Sequence, residues 1–306
     1  MKFKHLLMSG LIMALAGMFV VGCNENPVDN PDPDPTTVEP ATGLQALSKN
    51  GAVMLQWTAS TTTGVTYTVE YNEKGSTDKT TLADATSPLE VTSLTNGTIY
   101  EFSVTAVKGT ESSTAATIEW APADRYTTDT DPGSAVLRIY EKSAPTGKGS
   151  GLIIDPAKGG PSNESVANGV IGNIQLVADV QGNQIIIGPG NAPEFNGIFN
   201  NWGNFDDNVQ VSDVSEPTSG LNAWYLDSKL GDLFTTSRKS AYTIANQQAG
   251  NQGVAFAFRL GSAGSFKYGK VFIVPGTNGQ LVQNDGNNYI VLEISFQNTQ
   301  GVPYAK

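Results

Sequence analysis

Residues 194–208, EFNGIFNNWGNFDDN, set four aromatic rings among five asparagines and two adjacent carboxylates. That mixture suits carbohydrate recognition: a sugar offers C–H faces that stack on an aromatic ring and hydroxyls that pair with amides and carboxylates. Asn201, Trp202, Asn204, Asp206 and Asp207 are therefore the candidate binding residues. Trp224 and Tyr225, with Asp227 beyond, offer a second platform, and strand alternation would send one of those two rings inward and leave the other facing out. The competing reading is structural. Phe195, Phe199 and Phe205 in a Gly/Asn-rich loop are the residue types that pin such a loop onto a core, and Trp202 fits either role.

Other chemistry is narrowed by what the chain lacks. Its one histidine is His5, and four of its five methionines precede residue 19. If the leading segment is removed, no Ser-His-Asp triad, Cys-His nucleophile, imidazole metal ligand or histidine base can be built from the rest. Asp206-Asp207-Asn208 offers oxygens for a hard cation, but EF-hand spacing is absent, and no metal or cofactor is expected. Lys148-Gly149-Ser150-Gly151 lacks P-loop spacing. A glycoside hydrolase needs two carboxylates and no histidine, and Asp206, Asp207 and Asp227 are available for it, yet nothing marks any of them as an acid. No catalytic residue is assigned and the chain is expected not to be an enzyme.

The elements that must position these residues begin after an address. Lys2 and Lys4 precede an apolar run over residues 6–21 that ends in Val20-Val21-Gly22-Cys23. A basic start, a short apolar stretch and a small-residue end make an export signal, 1–22. Its end resembles the bacterial lipobox, which implies that Cys23 becomes the lipidated first residue, anchored by acyl chains. Residues 23–37 then interleave proline with aspartate and glutamate, giving an extended, acidic tether. Without Lys2 and Lys4, 16 basic residues stand against 29 acidic ones, so neither nucleic acid nor an anionic membrane surface is an attractive partner.

Residues 38–122 alternate apolar and polar types with period two: Val53, Leu55 and Trp57, then Tyr67, Val69 and Tyr71, then Tyr100, Phe102, Val104 and Ala106. Asn50-Gly51 supplies a tight turn between the first two runs. Trp57, the Tyr67-x-Val69-x-Tyr71 strand, and Leu94 followed six residues later by Tyr100 resemble a fibronectin type III domain, the last pair matching its tyrosine corner. The resemblance implies a rigid spacer. The loop over 108–113 carries no Arg-Gly-Asp triplet, so integrin-type adhesion has no support.

A polar, proline-bearing connector is expected over 123–133, and a second domain over 134–306. Short β-branched or aromatic runs at 136–140, 174–178, 185–187, 254–260, 270–274 and 289–296 are separated by turn residues such as Asn278-Gly279 and Asp285-Gly286. The whole chain thus reads as all-β, a fibronectin type III sandwich followed by a larger jelly-roll-like β-sandwich. Lipid, acidic tether, spacer and terminal β domain together resemble the surface glycan-binding lipoproteins that accompany outer-membrane polysaccharide uptake. That resemblance implies a lipid-anchored, surface-exposed outer-membrane protein whose partner is a polysaccharide. A structural or adhesive surface protein with a protein partner is the alternative, and a carboxylate glycoside hydrolase the second alternative.

Overall fold

A computed structural model describes residues 37–126 and 137–305 except 168, 170, 201, 213–215, 219–229, 235 and 237–238, with the backbone alone at 202 and 216–218. The export signal, Cys23, the tether through residue 36, most of the expected connector, Asn201, Trp224, Tyr225 and Asp227 lie outside the described residues.

The period-two runs of the first module become strands β1 (Thr42–Lys49), β2 (Ala52–Thr58), β3 (Thr66–Glu73), β4 (Thr80–Ala85), β5 (Leu89–Val91), β6 (Tyr100–Lys108), β7 (Glu111–Ser112) and β8 (Ala116–Trp120). They form two sheets, β1-β2-β5 and β4-β3-β6-β7 with β8 against β6. Gly51 turns β1 into β2 at a φ of 67°, open to glycine without strain. Val53, Leu55, Trp57, Val69, Phe102 and Val104 meet between the sheets. The corner at Leu94 closes as its spacing implies: the backbone N–H of Thr95 donates to Tyr100 Oη at 3.1 Å.

The second sandwich is built from β9 (Asp124–Tyr126), β10 (Leu137–Tyr140), β11 (Gly151–Ile153), β12 (Ser162–Glu164), β13 (Leu176–Val180), β14 (Gln184–Pro189), β15 (Val209–Val211), β16 (Glu216–Thr218), β17 (Tyr242–Ala245), β18 (Gly253–Leu260), β19 (Lys267–Val274), β20 (Gln283–Asn284) and β21 (Asn288–Gln297). One sheet runs β10-β21-β19-β18-β15, with β9 and β20 on β21 and β16 on β18; the other runs β12-β11-β13-β14-β17. The chain passes from the larger sheet to the smaller after β10, back after β14, and across again on either side of β17. Leu176, Ile185 and Ile187 from the small sheet face Phe256, Phe258, Ile273 and Leu292 from the large one. The only helical segments among the described residues are short 3-10 turns.

The first stretch of the expected connector is built into the structure. Ala121 and Ala123 are wholly buried, and Asp124–Tyr126 is β9, with Arg125 opposite Ser295 of β21. Polar side chains made this stretch read as a linker, but those side chains are spent on joining the modules. Asn96 Nδ2 donates to Asp124 Oδ1 at 2.8 Å, and Arg125 Nη1 donates to Ser48 O at 3.2 Å. Residues 37–306 accordingly form one compact unit.

The strongest tie comes from the segment after β21. Val302 and Tyr304 enter the hydrophobic core of the first module, where the Tyr304 ring lies 4.9 Å from that of Trp120. Tyr304 Oη donates to Glu119 at 3.1 Å, and Gln297 Nε2 donates both to Pro122 O and to Tyr304 O. Gly97 leaves room for this segment, since a Cβ there would collide with Thr299 Oγ1. Beside the segment, Leu47 and Met54 of the first module pack on Ala255 and Phe272 of the large sheet.

Two predictions follow from this joint. The full chain should melt in a single calorimetric transition, and Tyr304→Ala, at about 3–5 kcal/mol for loss of a buried aromatic ring, should lower that transition and split it. Burial, then the hydrogen bond to Glu119, pushes the Tyr304 hydroxyl up to about 12; burial, then the Asp124 and Asp155 charges, does the same for Tyr126. The folded chain therefore holds these protons more tightly than the unfolded chain, where tyrosine titrates near 10. Stability should be intact below pH 10 and fall as pH rises through about 12. Denaturation curves across that window should show a smaller loss in Tyr304→Phe, with the remainder carried by Tyr126.

Candidate functional site

The aromatic loop covers the outer face of the small sheet. Phe195, Phe199 and Phe205 are 0%, 3% and 3% exposed and pack with Ile153, Ile174 and Val177. Gly190 gives Phe205 its seat, because a Cβ at that position would run into the ring. Glu194 accepts the Ala241 backbone N–H at 2.9 Å, fastening the loop beside β17. The phenylalanines thus take the structural role of the two open to them, and Asn196 and Asn200 between them are exposed.

Of the candidate residues, Asn201, Trp224 and Tyr225 lie outside the described residues, and the others have definite places. Trp202 begins a 3-10 turn, Trp202–Asn204. Asn204 Nδ2 donates to Val166 O at 2.8 Å, so its amide holds a neighbouring loop. Asp207 is exposed, and its Oδ1 accepts from Asn191 Nδ2 at 3.1 Å. Asp206 is only 5% exposed; its carboxylate accepts from Lys158 Nζ at 2.8 Å and from the Asn208 backbone N–H at 2.9 Å. Asp206 and Asp207 therefore diverge, one buried and ion-paired, the other exposed.

Asp206 opens onto a polar cleft of ≈ 290 Å³ that the sequence did not announce. A second ion pair faces the first across it: Lys267 Nζ lies 3.1 and 3.0 Å from the two oxygens of Asp155. Asp155 also caps the turn Pro156–Lys158 by accepting the Ala157 N–H, and Lys267 donates further to Asn298 Oδ1 at 2.8 Å. Ser262, Ser265 and Gln300 complete the lining with hydroxyls and an amide, and Leu260 is its one large apolar member. Beneath Asp155 lies Gln175, wholly buried, whose Oε1 accepts the N–H groups of Ile154 and Asp155 while its Nε2 has no hydrogen-bond partner among the described residues.

The turn that carries Trp202 is tied to Lys158 of this cleft through Gly172. Gly203 O accepts from Gly172 N–H at 2.9 Å, and Gly172 O in turn accepts from Lys158 Nζ at 2.7 Å. The cleft thus brings together residues 155, 158, 206 and 267. Of these, sequence reading singled out Asp206 alone. Asp155 before Pro156 carries a helix-start signature, but nothing local pairs it with a lysine 112 residues away.

No cluster of three or more histidine, cysteine or carboxylate side chains able to hold a metal occurs among the described residues. Nor is any helix among them long and apolar enough to cross a membrane.

The two adjacent aspartates should separate in a stability measurement. Asp206→Ala removes the buried acceptor of Lys158 and of the Asn208 N–H and should cost about 2 kcal/mol in urea unfolding, whereas Asp207→Ala, on the surface, should stay within about 0.5 kcal/mol.

Comparison with known proteins bears on the first module. A search of curated proteins found no match. Similar solved structures include a computationally redesigned β-sandwich protein, 19% identical over 28% of this chain and 94% of its own, with a TM-score of 0.26. A myokine structure is 13% identical over 28% of this chain and 97% of its own, with a TM-score of 0.25. A two-domain fibronectin type III segment of chicken tenascin is 14% identical over 78% of this chain and 92% of its own, with a TM-score of 0.24. Residues 39–119 match the fibronectin type III family, and with the closed tyrosine corner and the two packed sheets this part of the chain is a fibronectin type III domain.

Proposed function

We propose that this protein is a non-catalytic, lipid-anchored protein of the bacterial outer-membrane surface whose second β-sandwich binds an extracellular glycan. A fibronectin type III domain followed by further β-sandwich structure fits a binding or spacer role. The observation that carries the glycan reading is the cleft at Asp206, where carboxylates, ammonium groups, hydroxyls and amides converge. Sugar hydroxyls both donate and accept, so they match a lining of that kind. The lipobox-like end at Cys23 and the acidic tether behind it support the surface location. In this reading the fibronectin type III domain is a rigid arm, docked on the binding sandwich through Tyr304 and Gln297.

The adhesive alternative draws support from a different observation: the three phenylalanines of the aromatic loop are all spent on packing, and Ile171, 79% exposed, stands on the neighbouring loop as an apolar contact for a protein partner.

The two readings separate in affinity electrophoresis. The full chain carrying Cys23→Ser, beside the same chain with Trp202→Ala or Trp224→Ala, is run through gels containing a panel of polysaccharides. Retardation by a glycan that either tryptophan substitution abolishes, with folding intact, is the expected result. A wild type that no polysaccharide slows would overturn the glycan reading in favour of a protein partner. Separately, Cys23→Ser should move the protein from the membrane to the soluble fraction of its host.

A further inference from the structure

Resting on the glycan reading, we infer that the cleft of Asp155, Lys158, Asp206 and Lys267 is a site for one neutral, hydroxyl-rich sugar ring, and that it discriminates against uronic and sulfated sugars. The charge balance carries the argument. Two ammonium groups and two carboxylates line the cleft, and each ammonium is already within 3.1 Å of a carboxylate oxygen. An anionic sugar would have to draw Lys158 away from Asp206 or Lys267 away from Asp155, leaving a carboxylate only 5% or 7% exposed without its cation. Stranding a charge in that way is strongly unfavourable. A neutral hydroxyl meets no such barrier: it donates to a carboxylate oxygen and accepts from an ammonium hydrogen, leaving both pairs in place.

Size and lining point the same way. At ≈ 290 Å³ the cleft stands at the lower end of ligand pockets, which run from about 300 to 1,000 Å³, so it suits one ring and not a length of chain. Leu260, the one large apolar residue of the lining, is only 4% exposed, so recognition here rests on hydrogen bonds, with the hydroxyls of Ser262 and Ser265 and the amide of Gln300 at the rim. Ser262 and Ser265 are 3.3 Å apart at their Oγ atoms and together make a donor–acceptor pair that a vicinal diol can match. The cation sites that a carboxylate cluster would otherwise suggest are neutralised by the same lysines.

The test uses the full chain with Cys23→Ser in gels of neutral polysaccharides (a glucan, a galactomannan, a xylan) and of anionic ones (polygalacturonate, heparin). Binding to a neutral glycan is expected, unchanged between 0.05 and 0.5 M salt at about the level expected for an uncharged ligand. Ser262→Phe, which places a ring across the mouth from an exposed turn position, should abolish it. Gln300→Ala should weaken it about fivefold, the loss of one hydrogen bond. Neutral binding that survives Ser262→Phe and Gln300→Ala would overturn the cleft as its site while leaving glycan binding standing. Tighter, salt-sensitive binding of polygalacturonate or heparin would overturn the neutral class. Binding to none of the five would overturn the glycan reading itself and this inference with it.

Discussion

The large sheet of the second sandwich carries buried apolar residues on both faces, and the rest of the structure is arranged around that constraint. Along β18, Val254, Phe256, Phe258 and Leu260 point into the sandwich core, while Ala255 and Ala257 point the other way and are also buried. Phe272 of β19 and Val291 of β21 extend the outer apolar face. Such a face cannot stand in water, and burying it is worth roughly 25 cal/mol per Å². Leu47 and Met54 cover one part of it, and Leu230, Phe234 and Ala305 cover another. The fibronectin type III domain is therefore a piece of the second domain's packing as well as a module in its own right.

The same packing reaches the cleft. The segment that follows β21 contributes Asn298 to the Lys267 ammonium and Gln300 to the lining, then runs on to bury Val302 and Tyr304 in the first module. Gly301 N–H donates to Phe266 O between these two tasks, at 2.8 Å. One short stretch of chain thus braces the wall of the cleft and fastens the two modules.

Much of the fold could be read before any coordinate was known. The runs at 185–187, 254–260 and 289–296 are strands because β-branched and aromatic residues bounded by turn residues have few other stable arrangements. The near-continuous apolar run VAFAF of β18 even carried the signal of burial on both faces, which a one-sided strand would have replaced with alternation. Trp57, Val69, Leu94 and Tyr100 made the first module recognisable because a tyrosine corner needs its residues at a set spacing within one stretch of chain. The joint was harder. Asp124 and Arg125 have the composition of a linker, and only the carboxylate's contact with Asn96 and the guanidinium's with Ser48 turn them into a seam.

Composition and local spacing by themselves determined that the chain is all-β, that it holds a fibronectin type III domain, and that Asp206 belongs to a polar stretch. They left two roles open for the aromatic loop, and tertiary structure decided between them by giving Phe195, Phe199 and Phe205 the back of the small sheet to cover. Only the folded chain could reveal the cleft. Asp155 pairs with Lys267 and Lys158 with Asp206 across 112 and 48 residues of sequence, and an ion pair between such distant positions leaves no local pattern. Spacing along a chain records neighbours on one strand or turn. Which charges meet across a sandwich is set by where the sheets bring them.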